Sequence, residues 1–264
     1  MLDDVKEIHI ESTSLCNAEC PMCARNVNGK GLNPYITLKS LDRAWFELNL
    51  KPEQIKTLAK VFFCGNVGDP ASTPELLEII EYFKNCNPEL VVGLNTNGGL
   101  KTSAWWSKLG HSLDGPLDYC VFSIDGLQDT NHLYRRNVNW QKIMENSKAF
   151  ITTGASAHWD MLVFEHNKHQ VEGAKSLATE AALELIEVIV CSALSNTFGV
   201  TFELVDGFRD VGLKFEVLVQ CDLGSFWIVF PDIWSIIRGS HELFGEGFGV
   251  DNKCVTDLAV QFNN

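Results

Sequence analysis

Short apolar runs and amphipathic stretches take turns along the first two-thirds of the chain. The apolar runs are VKEIHIE (5–11), KVFFCG (60–65), LVVGLNTNG (90–98), DYCVFSIDG (118–126) and HWDMLVFEHN (158–167). Between them lie TPELLEIIEYFKNC (73–86), SAWWSKLGHSL (103–113), NWQKIMENSKAFITTG (139–154) and HQVEGAKSLATEAALELI (169–186), read as amphipathic helices. Strands that alternate with helices at a spacing of about thirty residues imply βαβ units, which impose a parallel sheet with right-handed crossovers. The expected fold class is α/β, a TIM-type barrel or part of one, with a sixth strand near 184–190.

In parallel α/β folds the functional groups collect at the carboxyl ends of the strands. Each expected strand here ends in a polar loop: cysteines after the first, GNVGDP after the second, NTNG after the third, SIDG after the fourth and EHN after the fifth. Five loops on one rim define one site.

From about residue 181 the pattern changes. LELIEVIV (183–190), VTFELV (200–205), LKFEVLVQ (213–220) and SFWIVF (225–230) read as strands, and Arg209, Lys214, Arg238 and Lys253 face twelve acidic residues in 181–264. The expected organisation is a core barrel over 1–190 and a divergent, strand-rich C-terminal region over 191–264 that completes or caps it.

Composition narrows the function. The 264 residues are 45% hydrophobic, ample for a buried core. A net charge of −13 repels phosphate backbones, and no run of Lys or Arg marks a local exception, so bulk nucleic-acid binding is excluded. The opening MLDDVKEIHI lacks the basic start and apolar run of a secretory signal, and FWIVFPDIWSII (226–237) is broken by Pro231 and Asp232 and too short for a bilayer. The expectation is a cytoplasmic protein with no membrane contact.

Nine cysteines, an odd number, suit a reducing compartment in which they stay thiols or metal ligands. Cys16, Cys20 and Cys23 in SLCNAECPMCARN (14–26) follow C-x3-C-x2-C, with Pro21 discouraging helix inside the loop. Thiolates suit zinc or iron–sulfur clusters, and a closed structural site takes four ligands. Three leave two readings open: a zinc site completed by a histidine such as His9, or a [4Fe–4S] cluster with one iron open to an outside molecule.

The cysteine spacing resembles the signature of the radical S-adenosylmethionine (radical SAM) superfamily, over roughly residues 5–180, and the resemblance implies a partial (βα)6 TIM-type barrel. The resemblance implies that Cys16, Cys20 and Cys23 hold a [4Fe–4S] cluster and that SAM chelates its open iron. In that family a Gly-Gly-Glu-Pro-like motif ends the second strand and its backbone receives the SAM amino group. CGNVGDP stands there, which makes Gly65, Gly68 and Asp69 cofactor-binding candidates beside Pro70. The same resemblance assigns Ser123 and Asp125 of FSIDG to the SAM ribose or carboxylate, Asn97 and Asn167 to the SAM cleft, and Arg135 to the SAM carboxylate. Two positions depart from the family pattern. Met22 replaces a common aromatic residue and offers a thioether to the adenine, and Asp69 replaces glutamate.

The implied reaction is reductive cleavage of SAM to methionine and a 5′-deoxyadenosyl radical, which takes hydrogen from a small-molecule or peptide substrate. An electron donor such as flavodoxin or ferredoxin is the implied partner. A reading of another class is a non-catalytic cluster-bearing binding or regulatory protein, motivated by the divergent tail.

The other singled-out residues have plainer readings. Cys64, Cys86 and Cys120 read as small core residues. Cys191, Cys221 and Cys254 lack the tight C-x2-C grouping of a second cluster. His158, His166 and His169 flank the fifth strand and take no catalytic role, and Trp105 and Trp106 anchor a helix against the sheet.

Overall fold

The computed structural model describes residues 5–27, 29–181, 184–190, 215–221 and 224–230. In chain order the first unit (1–193) runs β1 (Glu7–Ile10), α1 (Arg43–Asn49), α2 (Pro52–Ile55), β2 (Lys60–Phe63), α3 (Leu76–Cys86), β3 (Val91–Thr96) and α4 (Ser103–Ser112). It continues with β4 (Tyr119–Ser123), α5 (Asn131–Tyr134), α6 (Trp140–Ile151), β5 (Ser156–Val163), α7 (Val171–Glu180) and β6 (Glu184–Val190). In the second unit (194–264), β7 (Phe215–Cys221) and β8 (Gly224–Phe230) pair antiparallel, with Phe215 opposite Phe230 and Cys221 opposite Gly224. The expected strand at 200–205, Cys191 and Cys254 lie outside the described residues.

Strands β1 to β6 form one sheet in sequence order, and every pairing is parallel. An unbroken order of this kind has no switch point, so all the strand-end loops collect on one rim, as the sequence implies.

The helix-facing side of the sheet is apolar. Ile10, Phe63, Leu94, Cys120 and Ala157 stand in one register row and are all buried. Leu76, Ile79, Ile80 and Phe83, spaced three and four apart on α3, are fully buried, and the Phe83 ring meets Phe63 edge-on at 6.2 Å. Trp106 anchors α4 as expected: it is fully buried, its ring lies 5.2 Å from Phe122, and its Nε1 donates to the Leu100 carbonyl at 2.8 Å. Asn139 caps α6 by accepting from the Lys142 N–H at 2.9 Å.

The opposite face carries an aromatic row below the rim. His9, Phe62, Gly93 and Tyr119 are register neighbours. Phe62 and Tyr119 stack at 6.1 Å, and a Cβ at Gly93 would lie 2.6 Å from the Tyr119 ring and 2.7 Å from Phe62. The missing side chain of Gly93 is what lets the two rings meet. His158 continues the row at 5.3 Å from Tyr119.

Candidate active site

The loop leaving β1 is fixed on both sides before it reaches the cysteines. The Ser14 N–H donates to the Lys39 carbonyl at 2.9 Å and its hydroxyl to the Thr37 carbonyl at 2.8 Å, while the Ser12 and Thr73 hydroxyls share a buried bond of 2.7 Å. The Cys23 N–H then closes a turn on the Cys20 carbonyl at 3.1 Å. Pro21 and Met22 occupy this turn, and Met22 is exposed.

Two sulfurs receive N–H groups. The Ala18 N–H and the Asn97 Nδ2 donate to Cys16 Sγ at 3.3 and 3.6 Å, and Arg135 Nη1 donates to Cys20 Sγ at 3.9 Å. Burial pushes the Cys16 thiol up to about 12, with the Asp69 carboxylate adding to the effect. Burial also raises the Cys20 thiol, against the pull of the Arg135 guanidinium. These thiols keep their protons until a cation displaces them.

Among the described residues, no three His, Cys, Asp or Glu groups are arranged to hold a metal ion. One tetrahedral zinc with Zn–S bonds of ~2.3 Å needs its sulfurs about 3.8 Å apart. His9, the nominated fourth ligand, is exposed, with its ring 5.2 Å from Phe62. Of the three sulfurs, Cys16 and Cys20 accept N–H groups, while Cys23 Sγ donates to the Asn66 carbonyl at 3.8 Å; hydrogen bonds to sulfur tune a thiolate-bound metal.

The loop after β2 is locked to the cysteine loop. A Cβ on Gly68 would lie 2.0 Å from the Thr13 carbonyl oxygen, and the next N–H, of Asp69, donates to the Leu15 carbonyl at 2.8 Å. The missing side chain of Gly68 thus admits the close approach of the chain leaving β1. Gly65 is exposed, and a Cβ there would meet its nearest neighbour, the Gly68 carbonyl, at 3.0 Å.

Asp69 is held by groups of the chain itself. Its buried carboxylate accepts from the Ala71 N–H at 2.9 Å, the Asn97 N–H at 2.8 Å and the Thr96 hydroxyl at 2.9 and 3.1 Å. Burial raises its carboxyl above the ordinary range and these donors counter it. Instead of facing a ligand cation, the carboxylate ties the second strand-end loop to the third.

Asn97 sits where the loops meet, its Nδ2 also donating to Asn17 Oδ1 at 2.9 Å and its Oδ1 accepting from the Gly99 N–H at 2.8 Å. Arg135 pairs its Nε with Asp125 Oδ2 at 2.5 Å, and the other oxygen of Asp125 accepts from the Leu162 N–H at 2.7 Å. Burial raises the Asp125 carboxyl against the pull of Arg135. Burial depresses Arg135, but Asp125 and Cys20 more than reverse this, and the guanidinium stays charged. Arg135 therefore joins Asp125 to the Cys20 thiol.

Asn167 is fully buried and fully bonded. Its Nδ2 donates to the Asp125 and Leu162 carbonyls at 2.9 and 2.8 Å, and its Oδ1 accepts from the Phe164 N–H at 2.6 Å. The amide fastens β4's exit to β5's and has no donor left for a ligand. Ser123, half-buried at the end of β4 beside Asp160, makes no side-chain hydrogen bond among the described residues.

Two solved structures share this fold. SuiB of Streptococcus suis, bound to S-adenosylmethionine, superposes with a TM-score of 0.54 at 14% identity, over 80% of this chain and 44% of that one. The enzyme anSMEcpe with bound AdoMet gives 0.54 at 15% identity, over 75% and 52%. Both are radical SAM enzymes.

The chain has the radical SAM fold.

The resemblance read from the cysteines thus holds at the level of the fold. No protein-family model matches the chain. A curated relative, the tungsten-containing aldehyde ferredoxin oxidoreductase cofactor-modifying protein of Pyrococcus furiosus, is 29% identical over 126 residues, 47% of this chain and 32% of that protein. The chain spans about half or less of the length of these three proteins.

Within the radical SAM fold the site includes residues the sequence reading passed over. Glu11 accepts from the Asn66 and Val67 N–H groups at 2.9 and 3.4 Å and so shapes the loop after β2. Its only signal was its place as the last residue of the first apolar run. Asn131 Oδ1 accepts from the Asp125 N–H at 2.9 Å, leaving its buried Nδ2 without a partner, and the buried Asn95 Oδ1 near the end of β3 has none either. An unmet buried polar atom costs about 1–3 kcal/mol, which a polar ligand at the strand ends would relieve.

Proposed function

We propose that the protein is a radical SAM enzyme that binds a [4Fe–4S] cluster through Cys16, Cys20 and Cys23 and cleaves S-adenosylmethionine reductively at the strand-end rim. The observation that carries this reading is the trio of cysteines on the loop leaving β1, with N–H donors aimed at two sulfurs and the loop braced to the exits of β2 and β3. The bound cluster and SAM would together supply a 5′-deoxyadenosyl radical that abstracts hydrogen from the substrate.

The chain's own residues hold and orient. Asn97 and Arg135 steady the thiolates, while Asp69, Asp125 and Asn167 fix the loops around them. The exposed Gly65 main chain and the Ser123 hydroxyl are the groups left to meet SAM directly. The six strands form a partial (βα)6 barrel, with the row from His9 to His158 as its inner floor. SuiB has been solved bound to its precursor peptide SuiA, and anSMEcpe with a Cp18Cys peptide, which supports a peptide substrate over a small molecule. No described helix is long and apolar enough to cross a membrane.

A second reading, a cluster-bearing protein without turnover, draws on the internal use of Asp69, Asp125 and Asn167. Electron paramagnetic resonance of the anaerobically reconstituted, reduced protein tests the cofactor half of the proposal. A signal from about four irons per chain that shifts when SAM is added supports an open iron. A signal unmoved by saturating SAM refutes it.

A further inference from the structure

The segment that follows Cys23 has a surface unlike the rest of the chain. Of the nine large apolar side chains that stand exposed among the described residues, Met22, Val27, Leu32, Tyr35 and Leu38 fall within seventeen positions, and Tyr35 is 94% exposed. The same stretch carries Arg25, Lys30 and Lys39 and no carboxylate between Glu19 and Asp42, in a protein with 34 acidic and 21 basic residues. Arg136 joins from a distant part of the chain, its Nη1 donating to the Gly29 carbonyl at 3.3 Å. Residues so scattered form no run in the sequence, so the basic patch emerges only on folding.

This pad is built, and it is built onto the cysteine loop. The Val27 N–H donates to the Gly31 carbonyl at 3.0 Å and the Asn33 N–H to the Arg25 carbonyl at 2.8 Å. The Lys39 N–H donates to the Ser14 hydroxyl at 2.9 Å, and Asn26 Nδ2 reaches the Cys20 carbonyl at 3.4 Å. Gly29, at φ +67°, packs so closely that a Cβ would lie 2.5 Å from Arg136 Nη1 and 3.0 Å from the Glu19 carbonyl oxygen. Met22, itself exposed, stands between two of the three cysteines.

We infer that this pad is the docking surface for an acidic one-electron carrier protein, which delivers electrons to the cluster through the Met22 end. The inference rests on the proposed function and adds where its partner binds. A segment that exposes apolar side chains together with Lys30 and Lys39 suits a carrier that presents carboxylates. Away from the pad, a chain of net charge −13 repels such a carrier, and the same charge opposes a second copy of this chain as occupant.

The test measures binding of an acidic flavodoxin to the cluster-loaded protein by biolayer interferometry at low and high salt. It compares the wild type, Lys30→Glu/Lys39→Glu and the control Lys148→Glu on the last turn of α6. Docking on the pad predicts that Kd rises about tenfold or more in the double variant, stays within about twofold in the control, and rises with salt for the wild type. Equal affinities for all three proteins, or no flavodoxin binding to the wild type, overturn the inference even where SAM cleavage with a chemical reductant persists. Wild-type protein that takes up no iron refutes the underlying function and, with it, electron delivery at the pad.

Discussion

Replacing Asp69 with asparagine separates a brace from a ligand contact. The carboxylate accepts from two backbone N–H groups and one hydroxyl, all within 3.1 Å. An amide of the same shape keeps one acceptor oxygen. Whichever way it is turned, its NH2 faces the N–H of either Ala71 or Asn97, and one buried donor loses its acceptor. Such an orphan costs about 1–3 kcal/mol, and loss of charge assistance at the remaining bonds brings the total to about 3 kcal/mol. Removing a carboxylate that burial disfavours returns part of this, so about 2 kcal/mol net is expected. For a domain of this size that is a fall in Tm of roughly 4–8 °C, measured by circular dichroism on the cluster-free protein. Asp69→Asn that melts with the wild type but binds SAM many-fold more weakly would refute the brace and restore Asp69 as a direct ligand group.

Three further outcomes follow from the same contacts. Asn167→Ala strands the Phe164 N–H and two carbonyls and should lower the stability of the cluster-free protein by about 2–4 kcal/mol in urea denaturation; an unchanged midpoint would contradict its fastening role. Gly93→Ala forces a methyl between Phe62 and Tyr119 and should cost about 1–3 kcal/mol by the same measurement, with no change meaning that the rings do not meet there. Burial, aided by Glu11, pushes the Cys64 thiol up to about 12, so its raised pKa keeps it protonated at pH 8. Iodoacetamide, followed by peptide mass spectrometry, should label it about a hundredfold slower than a free thiol of pKa ~8.5, and comparable rates would show an exposed thiolate.

The strands were legible because each is an apolar run with a polar exit, and parallel pairing converts that order into a single rim. The cysteine trio was legible because its three ligands lie within eight residues. Helices α1 and α2 were not, since each buries one residue, Phe46 or Ile55, and so has no apolar period. The duties of the polar residues were hidden for another reason. Asp69 meets Thr96 and Asn97 nearly thirty residues on, and Arg135 meets a sulfur 115 positions back. Side chains that motif order assigns to SAM are engaged with one another, and only the folded chain shows it. The basic pad was missed because Arg25, Lys30 and Lys39 are spaced too widely to form a run and Arg136 joins them only on folding.

The account stands most directly on the yield of 5′-deoxyadenosine from protein reconstituted anaerobically with iron and sulfide and supplied with SAM and dithionite. The wild type should form it, and the triple Cys16→Ala/Cys20→Ala/Cys23→Ala variant should form none. A brown, cluster-loaded wild type that yields none would contradict the enzyme reading in favour of a cluster-bearing binding protein, and a colourless one would remove the cluster from the account altogether.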